Sequence, residues 1–178
     1  MYWKASGPSQ TRDTVELALE RAASHGIADI VVASRSGKTA LLLAGKVPNL
    51  VCVTHAQGFA APGQNEMSGE MRARLAGLGV NLLTTTHVLS GAERGISRKF
   101  TGAYPVEIIA HTLRMFGQGV KVCVEVAVMA LDAGLIPHGR DVIAVAGTGD
   151  GADTAVILRP AHAADIFDTY ISEIICKP

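Results

Sequence analysis

Runs of apolar residues alternate with amphipathic segments along the chain and predict strands and helices in turn. Two short runs, Ile30–Ala33 and Leu50–Thr54, lack polar alternation, which is typical of strands buried on both faces of a parallel sheet. A third strand is predicted over Asn81–Thr85. Before and between the strands, apolar residues recur at helical spacing, and Asp13 with Glu16 predicts a capping box for the first helix. This alternation predicts right-handed parallel crossovers.

The second half of the chain predicts a very apolar helix and then a hairpin. Val120–Ala133 is apolar nearly all round, so this helix is either central in the domain or part of a subunit interface. Val142–Ala146 and Thr154–Leu158 have strand patterns and are separated only by Gly147–Asp153. That connection is too short for a helical crossover, so the pair predicts an antiparallel hairpin. The tail, Ala163–Cys176, predicts a final helix or a strand packed on the body.

Length and composition narrow the class of protein. The 178 residues predict a single domain over 1–178. Lys+Arg and Asp+Glu are both 16 and aromatic residues are 4%, which argues against nucleic-acid binding by phosphate neutralisation or base stacking. No apolar run reaches the length of a membrane span and the N-terminus lacks the apolar core of a signal peptide, so we expect a cytoplasmic protein with no membrane partner. The cysteines have no metal-ligand spacing, so we expect no metal site, and Cys52 and Cys123 are interpreted as unreactive core thiols.

The segment that follows the first strand has the composition of an anion-binding loop. Ser34-Arg35-Ser36-Gly37-Lys38-Thr39 opens a helix, where unpaired backbone N–H groups and the helix dipole favour a phosphate. The candidate phosphate-binding residues are Ser34, Ser36, Gly37, Lys38 and Thr39. The segment is not a P-loop, because Val32 stands where that motif requires its first glycine. The alternative is that Ser34 and Ser36 only cap the helix.

A glycine-rich segment in the predicted hairpin is the second candidate. Gly147–Ala152 is similar to the dinucleotide fingerprint, but a strand follows where that motif needs a helix. The segment is therefore either a flap with backbone donors over a ligand or a turn that needs positive φ. As a flap, it supplies Gly147, Thr148, Gly149 and Asp150. If the first strand is central, the strand order reverses between the strands that end at Ser34 and Gly147, and both loops face one crevice.

Two further strand ends carry a hydroxyl group and a histidine on the same rim. Thr54 precedes His55, and Thr86 precedes His87. Either histidine is a candidate general acid or base. The alternative is that both contact solvent or ligand without chemistry, because no nucleophile or carboxylate lies at useful spacing.

Charged residues in the helical middle of the chain leave alternatives open. The basic segment Arg94–Lys99 is either a lid over an anionic ligand or a solvated face. Glu125 lies in the very apolar helix, and we expect it to be paired internally because a lone buried carboxylate is costly.

Two parts of the chain carry a family resemblance. Ser36-Gly37-Lys38-Thr39-Ala40, a short helix and Val47–Thr54 resemble the start of the C-terminal α/β domain of pyruvate kinase. Asp141–Gly147, the glycine loop and Thr154–Leu158 resemble the last hairpin of that domain. Over its whole length the chain looks like a stand-alone relative of this domain. The resemblance implies a three-layer α/β fold with a five-stranded mixed sheet of order 3-2-1-4-5 whose last strand is antiparallel.

The resemblance also implies a ligand. In pyruvate kinase this domain is regulatory: its first loop holds the phosphate of an allosteric sugar bisphosphate, and its last hairpin loop covers the ligand. Carried over by position, the phosphate loop is Ser34–Thr39 and the covering loop is Gly147–Asp153. The resemblance does not include the catalytic barrel, so it does not imply kinase activity. The covering loop here lacks the basic and aromatic residues that grip a second phosphate, so we expect a sugar phosphate or a mononucleotide such as FMN.

Two other functions stay open at this point. The chain is alternatively a regulatory or structural module that binds a protein partner through the apolar helix Val120–Leu135. It is alternatively a small hydrolase or transferase that uses His55 or His87. Association into a homo-oligomer also stays open.

Overall fold

The computed structural model describes residues 1–178 and contains one six-stranded sheet with helices on both faces. The strands are β1 (Asp29–Ala33), β2 (Asn49–Val53), β3 (Asn81–Leu83), β4 (Val142–Ala146), β5 (Thr154–Arg159) and β6 (Tyr170–Cys176). The helices are α1 (Thr11–His25), α2 (Lys38–Leu43), α3 (Gly69–Gly77), α4 (Gly91–Phe100), α5 (Pro105–Arg114) and α6 (Gln118–Asp132). Short 3-10 segments, Pro8–Gln10 and Ala163–Asp168, precede α1 and β6.

The parallel half of the sheet is built around β1. The strand order is β3-β2-β1-β4-β5-β6. β1 pairs in parallel with β2, where Val31 lies opposite Val51, and with β4, where Val31 lies opposite Ala144. β3 extends this half in parallel beside β2. The central position of the first strand is therefore confirmed, and its burial on both faces explains its apolar run.

The antiparallel half of the sheet has one strand more than expected. β4 and β5 form the predicted hairpin, with Ala144 opposite Val156. β6 then pairs antiparallel with β5, so the prediction of a five-stranded sheet is wrong at this edge. The start of β6 alternates between exposed and half-buried positions, as an edge strand does. The corresponding apolar pattern in the sequence is weak and is compatible with a helix as well as a strand, which is why the sixth strand of the sheet was not predicted.

Two apolar cores lie on opposite faces of the sheet, which confirms the three-layer arrangement. On one face, Leu43 of α2 and Leu75 of α3 are buried in the same cluster as Ile30 of β1. On the other face, Val128 of α6 is buried in the same cluster as Val31. Successive residues of β1 thus enter different cores, because side chains alternate between the two faces of a strand.

Helix α6 lies inside the domain. Every residue from Gly119 to Leu131 is buried except Val122. A Cβ atom at Gly119 would lie 2.0 Å from Oγ1 of Thr154, so glycine is needed for the close approach of α6 to β5. Of the two positions that the apolar pattern left open, the position inside the domain is therefore confirmed. No helix of the chain combines the length and the apolar character needed to span a lipid bilayer.

The start of the first helix differs from its prediction. α1 begins at Thr11, and no side chain caps its N-terminus, so the predicted capping box of Asp13 and Glu16 is wrong. The 3-10 segment leads directly into the helix, which places Asp13 inside its first turn. The predicted end is correct, because Gly26 adopts a left-handed conformation with φ of 63° after the last helical residue.

All three cysteines are free and buried, as the prediction of core thiols requires for Cys52 and Cys123. Burial raises the pKa of the Cys52 thiol to about 12. Burial also raises the pKa of Cys123 well above its usual value. Neither thiol has the thiolate character that reactive cysteines need.

Candidate functional site

A cavity of about 650 Å³ lies at the carboxyl ends of β1, β2 and β4. The residue after each of these strands lines it: Ser34, Thr54 and Gly147. β1 and β4 are neighbours, and the strand order reverses between them. Open α/β sheets bind ligands at such a reversal. The expectation that the Ser34 and Gly147 loops face one crevice is therefore confirmed.

The cavity brings together about half of the residues that the sequence singled out. The predicted residues that line it are Ser34, Thr54, His55, His87, Gly147, Gly149 and Asp150. The predicted residues that do not line it are Ser36, Gly37, Lys38, Thr39, Thr86 and Thr148. The phosphate-binding loop is thus divided, with its first residue in the cavity and its helical end outside.

The turn between β1 and α2 explains this division. Gly37 has φ of 84° and precedes a helix of six residues. A Cβ atom at Gly37 would lie 2.5 Å from Cγ of Met71, so a side chain of α3 occupies the space above this turn. The glycine is therefore needed to pack α3 against the turn, and Lys38 is exposed to solvent beyond it.

The glycine-rich hairpin loop is anchored at its base and exposed at its tip. Asp153 is fully buried, and its carboxylate accepts hydrogen bonds from the backbone N–H groups of Gly7 (3.0 Å) and Thr148 (3.1 Å). Its other oxygen accepts from Oγ1 of Thr154 at 2.7 Å. Gly149 and Asp150 at the tip are exposed. The loop is therefore held at its base by the buried carboxylate of Asp153.

Arg35 joins the tip of this hairpin to the loop that follows β2. Its Nε and Nη2 atoms lie 2.9 and 2.6 Å from Oδ1 of Asp150. Its Nη1 atom donates to Oε1 of Glu66 at 2.9 Å. Hydrogen bonds with Glu66 and Asp150 raise the pKa of Arg35. The sequence placed Arg35 on the rim but gave no sign of its two partners.

His55 is paired with a carboxylate. Its Nδ1 atom lies 2.5 Å from Oε2 of Glu66. Burial of Glu66 acts to raise its pKa, but the hydrogen bonds from His55 and Arg35 outweigh burial and lower it. Glu66 is thus held as a carboxylate beside the imidazole ring. Glu66 has no recognisable signal in the sequence, because it lies in an irregular loop without periodicity.

A cluster of three rings lines the cavity beside this pair. The ring centroid of Phe59 lies 4.0 Å from that of His55, and the ring of His87 lies 5.6 Å from each of the other two. Burial lowers the pKa of His87, with Glu125 opposing this change and His55 and Lys121 adding to it. The rings are tilted by 33° to 59° to one another, so the cavity is lined by three unsaturated rings in different planes.

The wall of the cavity formed by α6 holds a buried ion pair. Nζ of Lys121 lies 2.5 Å from Oε2 of Glu125, and the two side chains are 6% and 5% exposed. The backbone N–H of Leu89 donates to the other oxygen of Glu125 at 3.0 Å. Burial lowers the pKa of Lys121. The expected internal pairing of Glu125 is confirmed, and the i,i+4 spacing was the signal that could have identified Lys121 as its partner.

Two arginines complete the cavity wall. Arg94 of α4 lines it, whereas Arg98 and Lys99 of the same basic segment do not. Arg114, at the end of α5, also lines it and was missed, because nothing in its local pattern separates it from a surface residue. No group of three or more His, Cys, Asp or Glu side chains is arranged to hold a metal ion.

Comparison of the chain with known proteins finds one matching family and several similar solved structures. The family model described as "Pyruvate kinase, alpha/beta domain" matches residues 12–158. A crystal structure of a pyruvate kinase from Cryptosporidium parvum is 17% identical over 88% of this chain and 23% of that chain, with a TM-score of 0.43. A Cryptosporidium parvum pyruvate kinase in complex with ADP is 16% identical over 87% of this chain and 24% of that chain, with a TM-score of 0.41. This chain therefore spans about a quarter of the length of these pyruvate kinases.

Proposed function

The chain belongs to the family of the pyruvate kinase alpha/beta domain, and we propose that it binds a phosphorylated small molecule in the cavity at the carboxyl ends of β1, β2 and β4. The position of the cavity carries this proposal, because α/β sheets bind ligands where the strand order reverses. Its volume of about 650 Å³ also falls within the range of about 300–1,000 Å³ found for small-molecule sites. The proposal does not extend to pyruvate kinase activity.

The lining of the cavity favours a mononucleotide such as FMN, with a sugar phosphate as the second ligand class. The rings of His55, Phe59 and His87 suit a flat, unsaturated body better than a sugar. The hairpin tip presents the carboxylate of Asp150, and Gly147–Asp153 contains no basic residue. A second phosphate would therefore find no basic residue on the hairpin to bind it.

The ligand contacts that we propose are the predicted ligand-binding residues that reach the cavity. They are Ser34, Thr54, Gly147, Gly149 and Asp150. Ser36, Gly37, Lys38 and Thr39 are instead assigned to the structure of the β1–α2 turn. This proposed assignment rests on their absence from the cavity lining and, for Gly37, on the packing of Met71 over the turn.

A thermal-shift screen tests the proposal, with native mass spectrometry of the freshly purified protein to detect a ligand that copurifies. The panel contains FMN, riboflavin, other mononucleotides and sugar phosphates. A compound that binds the folded state raises its stability, by about 2.7 kcal/mol at a hundredfold excess over Kd. We expect FMN to raise the melting temperature more than riboflavin does. A panel in which no phosphorylated compound changes the melting temperature would refute the proposal.

A matched pair of variants locates the contact. Ser34→Ala removes a hydroxyl group from the cavity, and Ser36→Ala removes one from the same loop outside it. We expect Ser34→Ala to reduce the shift caused by FMN and Ser36→Ala to leave it unchanged. The reverse result would place the phosphate at the β1–α2 turn.

The His55–Glu66 pair favours a second candidate function, that of a small hydrolase or transferase. The carboxylate 2.5 Å from Nδ1 orients the imidazole ring and engages that nitrogen, which leaves Nε2 as the nitrogen available to a ligand. In phosphoester hydrolysis, Nε2 would take a proton from the attacking water while the leaving alcohol departs from phosphorus. His55 would then return that proton to the alcohol.

Three variants test this second candidate against a panel of phosphoesters. His55→Asn removes the acid–base group and Glu66→Gln removes its orienting charge. His162→Asn is the control, because His162 also pairs with a carboxylate, that of Asp132 at 2.7 Å, but does not line the cavity. We expect the first two variants to lower the turnover rate by about 10²–10⁴-fold and the control to leave it unchanged. Equal rates in all three would remove the candidate.

We retain the homo-oligomer as a proposal, because α4 and α5 expose apolar side chains. Ile96, Phe100 and Ile108 are 43%, 64% and 56% exposed. Sedimentation equilibrium tests it, with Phe100→Ser as the variant. A wild-type mass equal to that of one chain at all concentrations would refute self-association.

A further inference from the structure

Two arginines in the cavity wall have no charge partner within the chain. Arg94 and Arg114 both line the cavity. Neither takes part in any of the seven ion pairs of the structure. Arg114 donates from Nε to the amide oxygen of Gln118 at 2.8 Å, and the two terminal nitrogens of its guanidinium group remain available. Guanidinium groups that face a cavity in this way suit the paired oxygens of a phosphate or carboxylate.

Lys121 adds a third cation to this wall. Its side chain is 6% exposed, and its ammonium group donates one hydrogen bond, to Glu125. An ammonium group has three N–H donors, so two remain available. Burial lowers the pKa of Lys121; Glu125 opposes this change, and the charges of Arg114 and Arg94 add to it. All three cationic side chains line the same cavity.

Two carboxylates, Glu125 and Glu107, also line this wall, and only Glu125 is paired with a cation. Glu125 accepts from Lys121 and from the backbone N–H of Leu89. Glu107 accepts from Oγ of Ser97 at 2.6 Å. Elsewhere in the cavity the guanidinium group of Arg35 is divided between Glu66 and Asp150. The wall formed by α4, α5 and α6 thus holds three cations against two carboxylates and keeps a net positive charge.

We propose that Arg94, Arg114 and Lys121 form a subsite for the anionic group of the ligand, a phosphate or a carboxylate. The proposal rests on the binding function proposed above and adds the position of the anion to it. The rest of the ligand then lies against the rings of His55 and His87. The ligand class is therefore a phosphate or carboxylate joined to a flat, unsaturated body, and its anion lies on the helical wall and not at the β1–α2 turn.

Titration of the ¹⁵N-labelled full chain with inorganic phosphate tests the subsite directly, followed by NMR at the arginine Nε–H signals and the backbone amides. We expect saturable shifts at Arg94, Arg114 and the amide of Lys121. Arg94→Gln and Arg114→Gln should each weaken phosphate binding at least about tenfold, as expected for the loss of a charge-assisted hydrogen bond. Arg98→Gln is the matched control, because it removes the same charge from α4 outside the cavity. We expect it to change the affinity less than about twofold.

Two results would overturn the subsite. One is a saturable shift that maps to Gly37 and Lys38 in place of the helical wall. The other is an equal loss of affinity in Arg94→Gln, Arg114→Gln and Arg98→Gln, which would show a general effect of charge. A parallel titration with acetate distinguishes a carboxylate source of the anion from a phosphate source.

The phosphate titration also separates this inference from the binding function on which it rests. Phosphate bound at the wall, with no phosphorylated compound of the thermal-shift panel bound, supports the subsite and refutes the proposed function. FMN bound without loss of affinity in Arg94→Gln and Arg114→Gln supports the function and refutes the subsite. The proposed function and the subsite both hold only if Arg94→Gln and Arg114→Gln weaken FMN binding and leave riboflavin binding unchanged.

Discussion

Removing one member of the buried Lys121–Glu125 pair should cost far more stability than neutralising both. Glu125→Gln leaves a buried ammonium group without its counter-charge. Lys121→Met leaves a buried carboxylate with the backbone N–H of Leu89 as its donor. The double variant holds neither charge, and the glutamine keeps an oxygen atom for that N–H group.

The burial of both side chains sets the magnitude, because they are 6% and 5% exposed. Breaking such a pair costs about 3–5 kcal/mol, so we expect each single variant to lose that much free energy of unfolding. We expect the double variant to lose about 1–3 kcal/mol, mainly because the amide N–H₂ group is left without a partner. The sum of the single losses should thus exceed the double loss by at least about 3 kcal/mol.

Urea unfolding at pH 7 measures these differences. With a denaturant slope of about 2 kcal/mol/M, each single variant should lower the urea midpoint by about 1.5–2.5 M. Asp141→Asn is the control, because the Arg159–Asp141 pair is 53% and 38% exposed and should contribute less than about 1 kcal/mol. Single losses that add to the double loss within about 0.5 kcal/mol would refute the coupling. If a single variant does not fold, the double variant must regain the fold.

Three other changes test separate parts of the structure. Gly37→Ala should lower the free energy of unfolding by about 1–3 kcal/mol, because φ is 84° and the new Cβ atom would lie 2.5 Å from Cγ of Met71. Gly63→Ala is the control, because φ is 73° there and no atom lies within 4 Å of the new Cβ atom. It should lower the free energy of unfolding less in the same urea assay. Asp153→Asn should cost about 2–4 kcal/mol in thermal unfolding, because the buried carboxylate accepts three hydrogen bonds; an unchanged melting temperature would contradict its anchoring role. Burial lowers the pKa of His87 below its usual value of 6.5, so the unfolded chain binds more protons as the pH falls. The stability that His87 contributes is complete above about pH 6.5 and is lost as the pH falls through the lower pKa of His87 in the folded chain. Between pH 8 and pH 5, the urea midpoint of His87→Asn should therefore fall less steeply than that of the wild type.

The sheet was largely predictable because its signal is local. Strands buried on both faces leave uninterrupted apolar runs, and the runs at Ile30–Ala33 and Val142–Ala146 gave β1 and β4 directly. The crevice between Ser34 and Gly147 followed from topology, since it needs only the order in which those strands are joined. β6 was uncertain because an edge strand buries one face, and its mixed pattern over Tyr170–Cys176 does not distinguish a strand from a helix.

The positions of the charged side chains in the cavity depend on tertiary structure, so no local pattern in the sequence predicts them. Arg94 and Arg98 lie one helical turn apart on α4, and the sequence treats them alike, but one lines the cavity. Glu66 lies eleven residues from His55 and meets it only because the loop after β2 folds back. Arg35 and Arg114 both face the cavity, and they differ in that Arg35 binds two carboxylates and Arg114 binds none. The second kind of arginine points to a ligand, because a guanidinium group without a carboxylate partner keeps its charge and its terminal N–H donors for an anion.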